Sequence, residues 1–219
     1  ILSDYDKAAF MTASRLGCLV GVSESTVVRF AAVLGYDGYP AMQKALQELV
    51  RGKLTSIQRI QTSNDRLFGA DVVASVLQMD MEKIRIAIEE VDRAAFREAM
   101  DRMMAARHIY ILGVRSSSFL AGYLHFYFHL IFEHVTLVTS NSAGDILESI
   151  LRIGPGDVLV GISFPRYSKA TVKGVRFARD RGADVVAITD SAMSPLYPLA
   201  STVLMARSDM ISFVDSLVA

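Results

Sequence analysis

The residues best suited to chemistry lie in two hydroxyl-rich stretches, "GVRSSSFLAGY" from Gly113 and "ISFPRYSKAT" from Ile162 to Thr171. Each follows an apolar run and opens a helical pattern. Ser116, Ser117, Ser118, Ser163, Ser168 and Thr171 therefore offer hydroxyls where strand turns into helix. Backbone N–H groups at helix starts attract anions, and a guanidinium such as that of Arg166 can fork onto phosphate through two parallel hydrogen bonds. The chemistry expected is the holding of a phosphate. Either stretch alone carries little weight, because serines cap helices in many settings.

A second constellation lies in "MTASRLGCLVGVSESTVVRFAAVLG", Met11 to Gly35. Thr12 is placed to cap a helix over 13–20, Gly21 and Val22 to turn the chain, Ser23 to cap a second helix through Leu34, and Gly35 to stop it. Leu16, Leu19, Val22, Val27 and Leu34 are expected to form the apolar face, with Gly17 small where the helices cross. This is a helix-turn-helix layout, and it places Ser23, Glu24, Ser25, Thr26 and Arg29 on the exposed front of a helix that can enter a major groove. Arg29 can fork onto guanine or clamp a phosphate, and Ser or Thr can contact either. Further on, Pro40 stands at a helix start and Lys44 one turn in, suited to a backbone contact. The competing reading is a helical domain that serves only as an interface, since residues 1–62 are only mildly basic.

Three zones must position these groups: a helical domain over 1–62, with its first helix cut short; a Met-rich helical coupling segment over 63–106; and an α/β domain over 107–219, also cut short at its end. In the last zone, apolar runs at 108–114, 135–139, 157–163, 184–190 and 201–206 read as strands buried on both faces. Helical patterns at 117–132, 143–151 and 168–181 separate them. The fold class expected is α/β, an all-α helix-turn-helix domain followed by a doubly wound, parallel, five-stranded domain. Ligands of such sheets bind outside the carboxyl ends of the strands. Within 63–106, Leu77, Met81, Ile84, Ile88 and Val91 form one stripe, read as packing on the α/β domain or as a dimer seam.

Bulk composition narrows the class. With 23 basic and 23 acidic residues, no global field draws the chain to nucleic acid or membrane, so any electrostatic footprint is local. The single cysteine, Cys18, excludes an internal disulfide framework and fits a reducing cytoplasm. No run approaches the roughly 18 apolar residues of a membrane span.

The motifs resemble a known family. "GVRSSS", "ISFPRYSKAT" and "ITDS" are similar to the sugar isomerase (SIS) domain, and "GVSESTVVRFAAVLGYDGYPAMQKAL" resembles the N-terminal domain of the RpiR family of bacterial transcription regulators. The resemblance implies a homodimer or homotetramer that binds operator DNA and responds to a phosphorylated sugar. It also implies that Ser116, Ser117, Ser163 and Ser168 line the sugar-phosphate site. Two positions depart from the pattern: Arg115 stands where a second glycine is usual, and Gly17 where alanine is commoner. An arginine at 115 either clamps an additional anionic group or fills the pocket.

Related SIS isomerases carry a His-Gly-Asp string, whereas the matching place here reads Ala143-Gly144-Asp145. Sugar isomerisation needs a positioned base, and Glu148 is the remaining nearby candidate. His125 and His129 share an i,i+4 spacing without a third ligand, so neither a metal nor another cofactor is expected. The expectation is a sensor rather than an enzyme. The alternatives are a SIS-type sugar-phosphate isomerase with a helical accessory domain, and a sensor that binds a protein partner instead of DNA.

Overall fold

A computed structural model of the chain describes residues 8–51 and 71–206. The start of the expected first helix, residues 52–70 and the end of the α/β domain after 206 lie outside the described residues. The chain divides into two compact units, the first over Ile1–Arg66 and the second beginning at Leu67.

The first unit holds helices α1 (Ala13–Val20), α2 (Glu24–Val33) and α3 (Tyr39–Arg51). Thr12 Oγ1 accepts from Arg15 N–H and closes the start of α1, and Gly21, at φ 73, ends it in the left-handed region. Ser23 Oγ accepts from Thr26 N–H at 3.3 Å and starts α2. The two helices meet at 102°, within the range of helix-turn-helix units. A Cβ on Gly17 would stand 2.7 Å from the Val22 carbonyl oxygen, so the missing side chain lets the turn close onto α1.

The core differs from the expected apolar face. Leu16 and Val27 are buried, but Leu19, Val22 and Leu34 are 62%, 41% and 53% exposed. Ala13, Ala31, Tyr39 and Met42 complete the core instead. The third helix causes the difference. Tyr39 and Met42 fill the space beside Leu16 and Val27, and the Tyr39 hydroxyl donates to the Met11 carbonyl at 2.8 Å.

The second unit opens with α4 (Val72–Glu90) and α5 (Arg93–Ala105). Strand β1 (His108–Gly113), α6 (Ser117–His129), β2 (Val135–Val138), α7 (Ala143–Ser149), β3 (Asp157–Ile162), α8 (Lys169–Asp180), β4 (Asp184–Thr189), a short 3-10 turn (Tyr197–Leu199) and β5 (Thr202–Met205) follow. The strands pair in parallel in the order β2-β1-β3-β4-β5. Observed starts fall within one residue of the expected ones, and the C-terminal ends come one to three residues earlier. Ala99 and Met103 of α5 and Ala121 of α6 pack on one sheet face against Ile109, Ile111, Val158 and Val160. Ile146 and Ile150 from α7 and the end of that helix, with Val175 and Ala178 of α8, cover the other face against Leu112 and Leu159. The sheet is doubly wound, and its order reverses between β1 and β3. Such a switch point opens a crevice at the strands' carboxyl ends.

Polar ties hold the opposite edge. Asp157, 1% exposed, accepts two hydrogen bonds from Arg107 at 2.9 Å each and one from Gly154 N–H at 2.9 Å. His108 stacks on Tyr110 with ring centroids 4.3 Å apart, and its Nε2 lies 2.8 Å from Thr136 Oγ1. Burial holds the His108 imidazole below its ordinary value of 6.5. The unfolded chain therefore binds this proton more readily, and stability falls as pH drops through 6.5 towards the folded value. Thermal denaturation at about pH 5 and about pH 8 checks this. His108→Gln should narrow the difference between the two conditions, and an unchanged difference would place the acid sensitivity elsewhere.

Among the described residues, the stripe on α4 stays largely open rather than packing onto the α/β domain. Leu77, Met81, Ile84, Ile88 and Val91 are all between 44% and 69% exposed. The α5 side of the pair carries the contact with the sheet instead, through Ala99 and Met103.

Candidate phosphate-binding cleft and nucleic-acid face

The crevice at the β1/β3 switch point is lined by Arg115, Ser116 and Ser117 from the loop after β1 and by Ser163, Arg166 and Ser168 from the loop after β3. All six residues singled out in the sequence for phosphate binding converge there. They are graded in depth. Ser117 and Ser163, 7% and 4% exposed, form the floor; Arg166 and Ser168 are half-buried; Arg115 and Ser116 are exposed at the rim.

Local geometry leaves the hydroxyls available. Ser116 precedes α6 with helical backbone angles and makes no side-chain cap, while Ser118 Oγ donates back to the Arg115 carbonyl at 2.6 Å. Ser168 caps α8 by accepting from Thr171 N–H at 3.4 Å, which leaves its own proton to donate. Thr171, expected among the cradle hydroxyls, is instead fully buried, and it does not line the cleft. Among the described residues its hydroxyl has no hydrogen-bond partner.

Two backbone features shape the loops. Gly113 was expected to permit a tight turn, but it ends β1, and what it permits is a close approach. A Cβ there would stand 2.5 Å from the Ser117 carbonyl oxygen and 2.8 Å from the Ala121 Cβ. Arg115 and Arg166 occupy the left-handed region at φ 56 and φ 69. Glycine adopts it freely, while other residues meet a cost of roughly 1–2 kcal/mol.

The loop after β3 is fixed from behind by residues that sequence reasoning left without a role. Tyr167 donates its hydroxyl to Asp190 Oδ1 at 2.7 Å, and Asp190 is 2% exposed. Thr189 Oγ1 donates to the Ser163 carbonyl at 2.8 Å, and Ser163 N–H donates to the Ile188 carbonyl at 3.1 Å. The signal available in sequence was the polar pair Thr189-Asp190 closing an otherwise apolar strand. Tyr167→Phe removes one bond to a buried carboxylate, a loss of roughly 1–3 kcal/mol in stability. Denaturant unfolding reads that loss, and ligand titration should show several-fold weaker phosphate binding. Unaltered binding would mean the loop holds its shape without the tie.

Asp145 and Glu148, the carboxylates near the replaced His-Gly-Asp string, are both exposed and do not line the cleft. Asp145 accepts from Ser140 Oγ at 2.7 Å. The His125 and His129 rings stack 5.9 Å apart, and among the described residues no three His, Cys, Asp or Glu side chains gather as a metal site would need.

On the first unit, Ser23, Glu24, Ser25, Thr26 and Arg29 are all exposed on the leading turns of α2, and Lys44 is exposed on α3. The Ser23 hydroxyl lies 2.9 Å from both Ser25 Oγ and Thr26 Oγ1, a cluster that orders the front of the helix. Among the described residues, Arg29 Nε reaches only the Ser25 carbonyl, at 3.4 Å. Among the described residues no single helix is long and apolar enough to cross a membrane.

A helix-turn-helix unit joined to a doubly wound domain with a serine-lined switch-point cleft defines a class, and comparison with known proteins specifies it. The helix-turn-helix domain of the rpiR family matches residues 1–51, and the SIS domain matches residues 102–219. The chain belongs to the rpiR family of helix-turn-helix proteins that carry a SIS domain. A helix-turn-helix transcriptional regulator of Clostridium perfringens is 25% identical over 201 residues, covering 91% of this chain and 71% of the relative. The sugar isomerase domain of an RpiR transcription factor from Sphaerobacter thermophilus superposes with a TM-score of 0.64 at 24% identity, over 68% of this chain and 83% of that one. The Vibrio vulnificus NanR protein complexed with ManNAc-6P superposes at 0.59 with 23% identity, over 94% and 72%. At these identities the superpositions establish the shared fold.

Proposed function

We propose that this chain is a DNA-binding transcription regulator of carbohydrate metabolism whose SIS domain senses a phosphorylated sugar. The observation that carries the reading is the convergence of six donor residues from two loops on one switch-point cleft. That cleft lies in a chain with an exposed, capped helix of the rpiR helix-turn-helix type. Similarity to a protein complexed with ManNAc-6P supports a phosphosugar as the ligand class. The cleft lining offers hydroxyls and guanidiniums and, among the described residues, no carboxylate or imidazole to move a proton from carbon. Binding without turnover is the chemistry it suits.

Operator recognition favours two-fold symmetry, and the open stripe on α4 supports a homodimer or homotetramer seamed there. In such an assembly residues 63–106 couple the halves. A ligand that binds one arrangement of the SIS domains better shifts the spacing of the two helix-turn-helix units, and so changes DNA affinity. The place of work is the cytoplasm, where bacterial DNA lies. Duplexes selected by the full chain from a random pool test the reading. Enrichment of a palindromic sequence whose affinity changes when sugar phosphates are added supports it. Failure to enrich any sequence would turn attention to a protein partner.

A further inference from the structure

Among the polar side chains on the leading turns of α2 stands one apolar group. Glu24, Ser25, Thr26 and Arg29 face solvent, and Val28 is 40% exposed in their midst. Val27 and Ala31 turn into the core of the unit, and Val28 stays outside it. Ser25 and Glu24 precede Val28 by three and four residues, which makes them its neighbours on the helix surface. The other large exposed apolar groups of α2 are placed differently. Phe30 lies two residues on and does not face Val28. Val33 ends the helix, about 13 Å along its axis from Glu24. At an exposed helical position alanine is the better helix former. What valine adds there is a stiff, branched end of two methyl groups.

In a helix-turn-helix the first residues of the second helix meet base edges in the major groove. The apolar feature that a base pair displays there is the C5-methyl of thymine. A valine side chain has no hydrogen-bonding group, so thymine is the base it can tell from the others. Its χ1 is already restricted, so little rotamer freedom is lost on contact. We infer that Val28 is a specificity-determining residue, selecting a thymine in each half-site by packing against its C5-methyl. The inference rests on the DNA-binding reading above and deepens it.

Deoxyuridine isolates the methyl, because it keeps the O4 acceptor of thymidine and lacks only that group. In the duplex selected by the full chain, each thymidine is replaced in turn at matching positions of both half-sites, and affinity is measured at fixed salt. At one position the replacement should weaken binding about fourfold per half-site, or about tenfold or more for the two together. Val28→Ala, which suits the helix and removes both methyl groups, should bring the thymidine-to-deoxyuridine affinity ratio at that position close to one. Val28→Ile, which keeps the branched apolar end, should retain the ratio. A selected site in which no thymidine responds would overturn the inference. So would a response that persists in Val28→Ala, since another side chain would then meet the methyl, or one lost in Val28→Ile as well, since the helix itself would then have shifted. If no duplex is enriched at all, the DNA-binding reading falls and the inference with it; an enriched duplex indifferent to deoxyuridine removes the inference alone.

Discussion

Replacing Gly113 by valine should abolish phosphosugar binding and destabilise the second unit by about 2–3 kcal/mol. The new Cβ would meet the Ser117 carbonyl oxygen at 2.5 Å and the Ala121 Cβ at 2.8 Å, and the first of these is backbone that cannot rotate aside. Relief requires the start of α6 to move away from β1. That motion lifts Ser117 from the floor and displaces Ser116 and Arg115 with it. Alanine makes the sharper comparison. In an ordinary strand, glycine is roughly 0.5–1 kcal/mol less favourable than alanine, so a position with room would gain stability. Gly113→Ala should lose stability instead, read by denaturant unfolding, and should weaken ligand binding in a parallel titration. A gain in stability would show that the approach of α6 to β1 is looser than described.

Arg29→Ala should reduce affinity for the selected DNA by about 1–3 kcal/mol and relax sequence preference at one position of each half-site. Arg29 is exposed on the face formed by Ser23, Ser25 and Thr26, and its one hydrogen bond, at 3.4 Å to a carbonyl of its own helix, is easily surrendered. Lys44→Ala serves as the control. A lysine on α3 that meets only phosphate should weaken all sequences alike and lower the salt dependence by roughly one counterion. If both variants lose affinity uniformly, Arg29 clamps the backbone and the bases are read elsewhere on α2. Unchanged binding by Arg29→Ala would contradict the recognition face altogether.

Much of this architecture was legible in the residues, for identifiable reasons. The strands of the second unit are covered on both faces, so each reads as an unbroken apolar run, and β1 to β5 fall within those runs. Thr12, Gly21, Ser23 and Gly35 mark helix ends by local chemistry, which needs no tertiary information. The six residues line one cleft because loops at strand ends converge where the strand order reverses, while their phosphate role is read from hydroxyl-rich helix starts and from the family resemblance.

What escaped depended on contacts distant in sequence. Leu19, Val22 and Leu34 satisfy helical spacing yet face outward, because Tyr39 and Met42 arrive from a third helix whose contribution no period reveals. The bond from Tyr167 to Asp190 joins residues 23 apart in the chain. Gly113 was rightly marked as special, but its reason lies in α6 crossing close by rather than in its own turn. Thr171 shared the composition of the cradle, and its place on α8 buried it.

Phosphorus NMR tests the central claim most directly, applied to a mixed panel of pentose, hexose, amino-sugar and aldonate phosphates with and without the full chain. The account predicts that one resonance broadens or shifts while its chemical identity persists, as binding without turnover requires. A resonance that disappears as a new one grows would contradict it and make the chain an enzyme.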